Sequence, residues 1–162
     1  MAQTIDPKDL GKYRKSAPSK SSSQKNATQS KGLAKEYLQG GYFDQSEHLK
    51  REYIVEYPQQ IANQLAYDKF QQMSAAGLRR FFTKVRFLER KLEAKGDFAA
   101  VVPELLALIP YVHNAKTRKV VPQLFQQFIE QNVNAAVQSE HAFREGFLKH
   151  FEYVVAFFPK SR

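Results

Sequence analysis

The stretch "SAAGLRRFFTKVRFLERKLEA", Ser74 to Ala94, has a clear helical period and a high density of positive charge. On a wheel of 100° per residue, Leu78, Phe81, Phe82, Val85, Leu88 and Leu92 gather within about 120°, the width of a core-facing stripe. Ser74 suits an N-cap, because its hydroxyl can accept a backbone N–H that a first helical turn leaves unpaired. Lys95-Gly96 suits a stop, since glycine enters the left-handed region without strain. The spacing therefore predicts a helix over 75–94. Its six cations fall on two flanks of the core stripe. Arg79, Arg86 and Arg90 make one stripe; Arg80, Lys84 and Lys91 make the other. Phe87 lies between them, facing away from the core.

Long basic side chains beside a core stripe commonly just lay their stems on it and reach water. Two features favour a binding surface instead. No carboxylate stands at the i,i+4 positions that a merely solvated face uses for pairing. Arg79 and Arg80 also sit in the early turns, where the helix dipole disfavours positive charge. Arginine stripes with an exposed ring suit an RNA backbone, guanidinium to phosphate and ring to base. For Phe87 the simpler reading is contact with a neighbouring helix or subunit.

Outward from this helix, the apolar period continues in both directions. A turn or short helix around Tyr53–Tyr57 leads into a helix over Pro58–Gln72, with proline in the first turn. Asp97 can cap a third helix reaching Ile109, and Pro110 breaks or kinks the path beyond it. Val121–Val137 and Ser139–Phe158 complete the set, the last with Phe143, Phe147, Phe151, Val154 and Phe158 on one stripe. These patterns predict an all-α fold, a compact bundle of about five helices. Residues 41–162 are expected to form this helical domain. Residues 1–40 are expected to be a disordered Lys/Ser-rich tail, because "SAPSKSSSQKNATQSKG" has almost nothing to bury.

The chain has 162 residues, no cysteine and a formal net charge of +9. A charge of this size suits a polyanionic partner. Most of it belongs to the tail: residues 1–35 hold eight Lys/Arg and two Asp, a net of +6, leaving +3 for the rest. A claim about the folded part therefore rests on local placement. The cluster "NAKTRK" supplies a second local site, with Lys116, Arg118 and Lys119 in a loop or at a helix start, framed by Pro110 and Pro122. A solvated turn explains it equally well.

Catalysis has little support. His48, His113, His141 and His150 are scattered, as surface histidines usually are, and His141 with Glu145 stands at i,i+4, a spacing that could face one metal. No metalloprotease, phosphate-loop or nucleophile-elbow motif occurs. The expectation is no catalytic residue, no metal and no cofactor. No uninterrupted apolar run approaches the roughly 20 residues of a membrane span, and the N-terminus lacks a signal's apolar core, which points to a cytoplasmic protein with no membrane partner.

Three stretches resemble one known family, the small helical subunit of type III-A CRISPR effector (Csm) complexes. "GLRRFFTKVRFLERKL" is similar to its signature helix: Ser74 at the start, Leu78-Arg79-Arg80-Phe81 as the motif and Arg86 as the later arginine. Pro110 and Arg118 keep the spacing of a second stretch, and Val155-Ala156-Phe157 resembles the closing aromatic helix. Gly77, Asn114 and Thr117 depart from the residues common there. The resemblance implies a non-enzymatic subunit that lines up with copies of itself along a ribonucleoprotein. It implies contact with guide RNA and target RNA, and a bridge between backbone and large subunits. By position, Arg79, Arg80, Arg86 and Arg118 are the expected RNA contacts, with Lys84, Arg90, Lys116 and Lys119 beside them. The rival expectation is a helical interaction module that docks on other subunits without touching RNA.

Overall fold

The computed structural model describes residues 32–160. The elements are α1 (Arg51–Ile54), α2 (Glu56–Tyr67), α3 (Ala75–Lys95), α4 (Phe98–Leu106), α5 (Leu108–Thr117), α6 (Gln123–Ala136), a π-helical segment (Ala142–Phe147) and α7 (Leu148–Phe157). The fold is an all-α bundle. Its layers follow from the packing partners: α2 lies along α7, α5 along α6, and α3 rests on both α4 and α7.

Helix α3 begins and ends where local chemistry dictates. Ser74 Oγ accepts from Gly77 N at 3.0 Å, and Gly96 closes the helix at φ 66° with its N–H on Leu92 O at 2.7 Å. The buried set, Leu78, Phe81, Val85, Leu88 and Leu92, is the predicted stripe, with Phe82 half-buried at its edge. Helix α2 stops at Tyr67, short of the expected Gln72. Asp68 Oδ1 accepts from the N–H groups of Phe70 and Gln71, so the backbone turns rather than continuing.

The third predicted helix divides in two. Asp97 caps α4 through Ala99 N, as expected. The break then comes at Ala107, one turn before Pro110. A proline ring clashes with the carbonyl four residues back and offers no N–H to it; here that carbonyl belongs to Leu106, the last residue of α4. The region beyond is helix α5, so Lys116 stands in its last turn and Arg118 and Lys119 just past its end. The expected loop or helix start is thus a helix C-terminus. Cations are favoured there by the dipole.

Residues Phe98–Thr117 together have the length and mean hydropathy, 1.3, of a membrane span. Glu104 and Pro110 interrupt the apolar run, which hides this in a search for uninterrupted stretches. Val101, Leu105, Leu108 and Val112 are buried in the bundle.

Five phenylalanines, Phe125, Phe128, Phe143, Phe147 and Phe151, are fully buried at the centre where α6 meets the π-helical segment and α7. Each fully buried ring contributes about 1.5–3 kcal/mol of transfer free energy. Phe128 touches the rings of Phe125, Phe147, Phe151 and His150.

Residues 32–50 form a strap laid across α6 and α7. Tyr37 and Tyr42 are buried, and Phe43 pairs with Leu49 in an isolated antiparallel bridge. The expected boundary at residue 40 therefore falls inside packed structure, because a buried tyrosine lies before it. The expectation for residues 1–31 lies outside the described residues.

A sealed polar network holds the strap. His150, expected at the surface, is fully buried. Its Nδ1 lies 2.8 Å from Tyr53 O, an acceptor, so Nδ1 carries the proton and Nε2 accepts from Tyr37 Oη at 2.6 Å. Tyr37 Oη in turn accepts from Asn132 Nδ2 at 2.8 Å, and Asn132 Oδ1 accepts from Tyr42 Oη at 2.6 Å. Burial pushes the His150 pKa down to about 4 and raises the Tyr37 and Tyr42 hydroxyls well above the usual phenol range. Gly146 in the π-helical segment makes room for this seam: a Cβ there would stand 2.5 Å from the Tyr42 ring.

Candidate nucleic-acid interface

Helix α3 presents its cations as the wheel predicts, but they are not equivalent. Arg79, Arg80 and Arg90 are exposed and make no ion pair among the described residues. Arg86 is half-buried, with Nη1 3.2 Å from Glu89 Oε2 one turn on. Lys84 lies over the Tyr111 ring, 4.4 Å from its centroid. Lys91 pairs with Glu104 of α4. The helix lacks i,i+4 carboxylates, yet an i,i+3 glutamate and a glutamate from the next helix occupy two of its six cations. Partly exposed pairs of this kind are worth about 0–1 kcal/mol, so they leave both cations available to a stronger anion.

The flanks differ in what they border. On the Arg79–Arg86–Arg90 side the neighbour is the C-terminal part of the chain. Phe82 packs on Phe151 at 5.2 Å, and Glu93 takes Arg144 at 3.0 Å. On the Arg80–Lys84–Lys91 side the neighbours are α4 and α5. Lys91 reaches Glu104, Leu88 and Leu108 share a groove, and Phe81 lies 5.1 Å from Tyr111. Ascending residues of α3 thus meet descending residues of α4–α5, so the two run antiparallel. The start of α3 and the end of α5 lie at one end of the bundle. This brings Arg79 and Arg80 to the same end as Lys116, Arg118 and Lys119, two clusters well separated in sequence. Arg118 and Lys119 are exposed, and Lys119 takes a left-handed φ of 58°. Along α3, Arg79 and Arg90 are separated by eleven residues, a rise of about 16 Å.

Phe87 is 61% exposed and forms one wall of a groove of about 500 Å³ between α3 and α4–α5. Tyr111, 40% exposed, stands on the other side. Neither Tyr111 nor the exposed Leu106 figures among the residues expected from sequence. Both lie in an apolar segment whose period alone assigns them to a core; the signal that finds them is the proline after Leu106, which turns the helix.

Among the described residues no three His, Cys, Asp or Glu gather as a metal would require. His141 stacks on Phe43 and approaches Glu47 at 3.6 Å rather than facing Glu145.

The family model for Csm2 of type III-A matches residues 48–160, most of the chain and every helix among the described residues. The chain belongs to the type III-A Csm2 family. No curated protein and no solved structure matches it. Membership makes it a structural subunit of a multi-subunit type III-A CRISPR complex. The matched span covers α3 with both basic stripes, the end of α5 and the strap's last residues, and it begins after Tyr37 and Tyr42.

Proposed function

We propose that this Csm2-family chain is a non-enzymatic RNA-contacting subunit. It tracks the guide–target RNA duplex or the target strand, lines up with copies of itself, and bridges the backbone and large subunits. The observation that carries the reading is the exposure of Arg79, Arg80 and Arg90 at helical spacing without ion pairs among the described residues. Arg86 and Lys84 extend the two stripes, and Lys116, Arg118 and Lys119 add a second cluster at the same end. An A-form duplex hides base identity in its narrow major groove, so the protein meets phosphate and sugar and reads little sequence. Neutralising phosphates releases counterions, so affinity falls with salt.

The test uses the assembled complex with Arg79→Ala and Arg90→Ala together. RNA affinity is expected to drop, and the log–log salt slope to shrink by roughly 0.7–0.9 for each phosphate that is no longer neutralised. An unchanged slope, measured by filter binding from 50 to 300 mM salt (a range of about that order), removes the proposal.

A further inference from the structure

Part of the α4–α5 surface is apolar and left uncovered among the described residues. From Phe98 to Ala115 it carries no Lys or Arg, and Glu104 is its single carboxylate. Only 22% of the best apolar window of Phe98–Thr117 is buried. Leu106 is 42% exposed, and Pro103, Ala107, Pro110 and Tyr111 are exposed as well. Across the groove stands Phe87, with Leu88, Ala107 and Leu108 lining the space between. An exposed apolar groove of this kind marks an interaction site.

Its charge identifies the occupant. Lys84 stands in the groove lining and Arg80 one turn away, both positive, whereas Glu104 is already neutralised by Lys91. The rim is therefore positive around an apolar floor. We infer that this groove docks an acidic amphipathic helix of another subunit. One bulky apolar side chain enters between Phe87 and Tyr111. Its neighbours at i+3 and i+4 lie on Ala107 and Leu108, and a flanking carboxylate meets Lys84. A second copy docking by the same groove would set two positive rims against each other. The chain's own first 31 residues carry seven Lys/Arg against two Asp, the wrong sign for this rim. An RNA strand would find no cation along α4 or the first two turns of α5. The inference rests on membership of a multi-subunit complex and not on RNA contact by α3.

In the assembled complex, p-benzoyl-phenylalanine replaces Ala107, in the groove lining and outside both basic stripes, and the product of irradiation is mapped by mass spectrometry. The expected result is a crosslink to one helical segment of net negative charge in another subunit, with the yield falling at least fivefold when Lys84→Glu is added. Crosslinks to RNA, to a second copy or to lipid overturn the inference, as does the absence of any crosslink or a yield that ignores Lys84→Glu. With the free full-length chain, the probe is a synthetic Glu-rich amphipathic helix bearing Leu at i, i+3, i+4 and i+7. Its affinity is expected to weaken about tenfold in Phe87→Ser, and equal binding to both proteins overturns the inference. Neither arm depends on the salt slope of Arg79→Ala with Arg90→Ala, so the two proposals fail separately.

Discussion

Tyr37 and Tyr111 both lie against the helical bundle, but one is sealed and the other half open. Tyr37 donates to a histidine, accepts from an asparagine and meets two further rings, Tyr53 and Tyr57. Tyr111 meets Phe81 on its inner side and carries Lys84 on its outer side, beside a groove. In the first region each named polar atom has a partner, so a change there leaves something buried and unpaired. In the second, aromatic surface and positive charge are left for an outside partner, so a change there costs the free chain little. The sealed core and the proposed docking surface thus lie in different parts of one small bundle.

The largest expected effect lies at the centre of the sealed region. Phe128→Ala removes a ring that touches four others, and it should lower unfolding free energy by about 3–5 kcal/mol in urea titrations. A drop smaller than about 1 kcal/mol, on the same scale, would erase the contrast between the regions.

Acid comes next. His150 has a folded pKa of about 4 against an ordinary 6.5, so the unfolded chain takes up the proton first. Its contribution is complete above about pH 6.5 and fades as pH falls from 6.5 towards 4, by roughly 3 kcal/mol in all. Urea midpoints between pH 7.5 and 4.5 (a window about the histidine range) should fall accordingly, and the fall should shrink in His150→Gln.

Tyr37→Phe keeps the ring and deletes the hydroxyl. It leaves His150 Nε2 without its donor and takes one acceptor from Asn132, a cost of about 1–3 kcal/mol by thermal or chemical unfolding. The smallest effect belongs to the open region. Phe87→Ser and Arg79→Ala should each leave stability within about 0.5 kcal/mol, while changing what the assembled complex binds.

Much of this architecture was legible in the sequence because its causes are local. Ser74, Gly96 and Asp97 fix helix ends through bonds to residues at most four positions away, and the stripe of α3 follows from period alone. The strap was not legible. Tyr37 and Tyr42 lie in a short stretch with no helical period, and their burial depends on Asn132 and His150, some ninety or more positions on. The cation stripes were read correctly as directions but not as environments. Only folding brings Glu104 to Lys91 and Tyr111 to Lys84. The joining of the two basic clusters at one end follows from the antiparallel course of α3 against α4–α5, which no window of sequence contains.

The strap also decides where the chain can be trimmed. A shortened protein starting at Gly41 would retain each helix of the described residues and both basic clusters, and by helical pattern alone it would look complete. It would also leave the imidazole of His150 facing the socket of a missing tyrosine, with Asn132 holding one amide hydrogen towards nothing. Trimming from the front should end before Gly32, so that the peg stays with its hole.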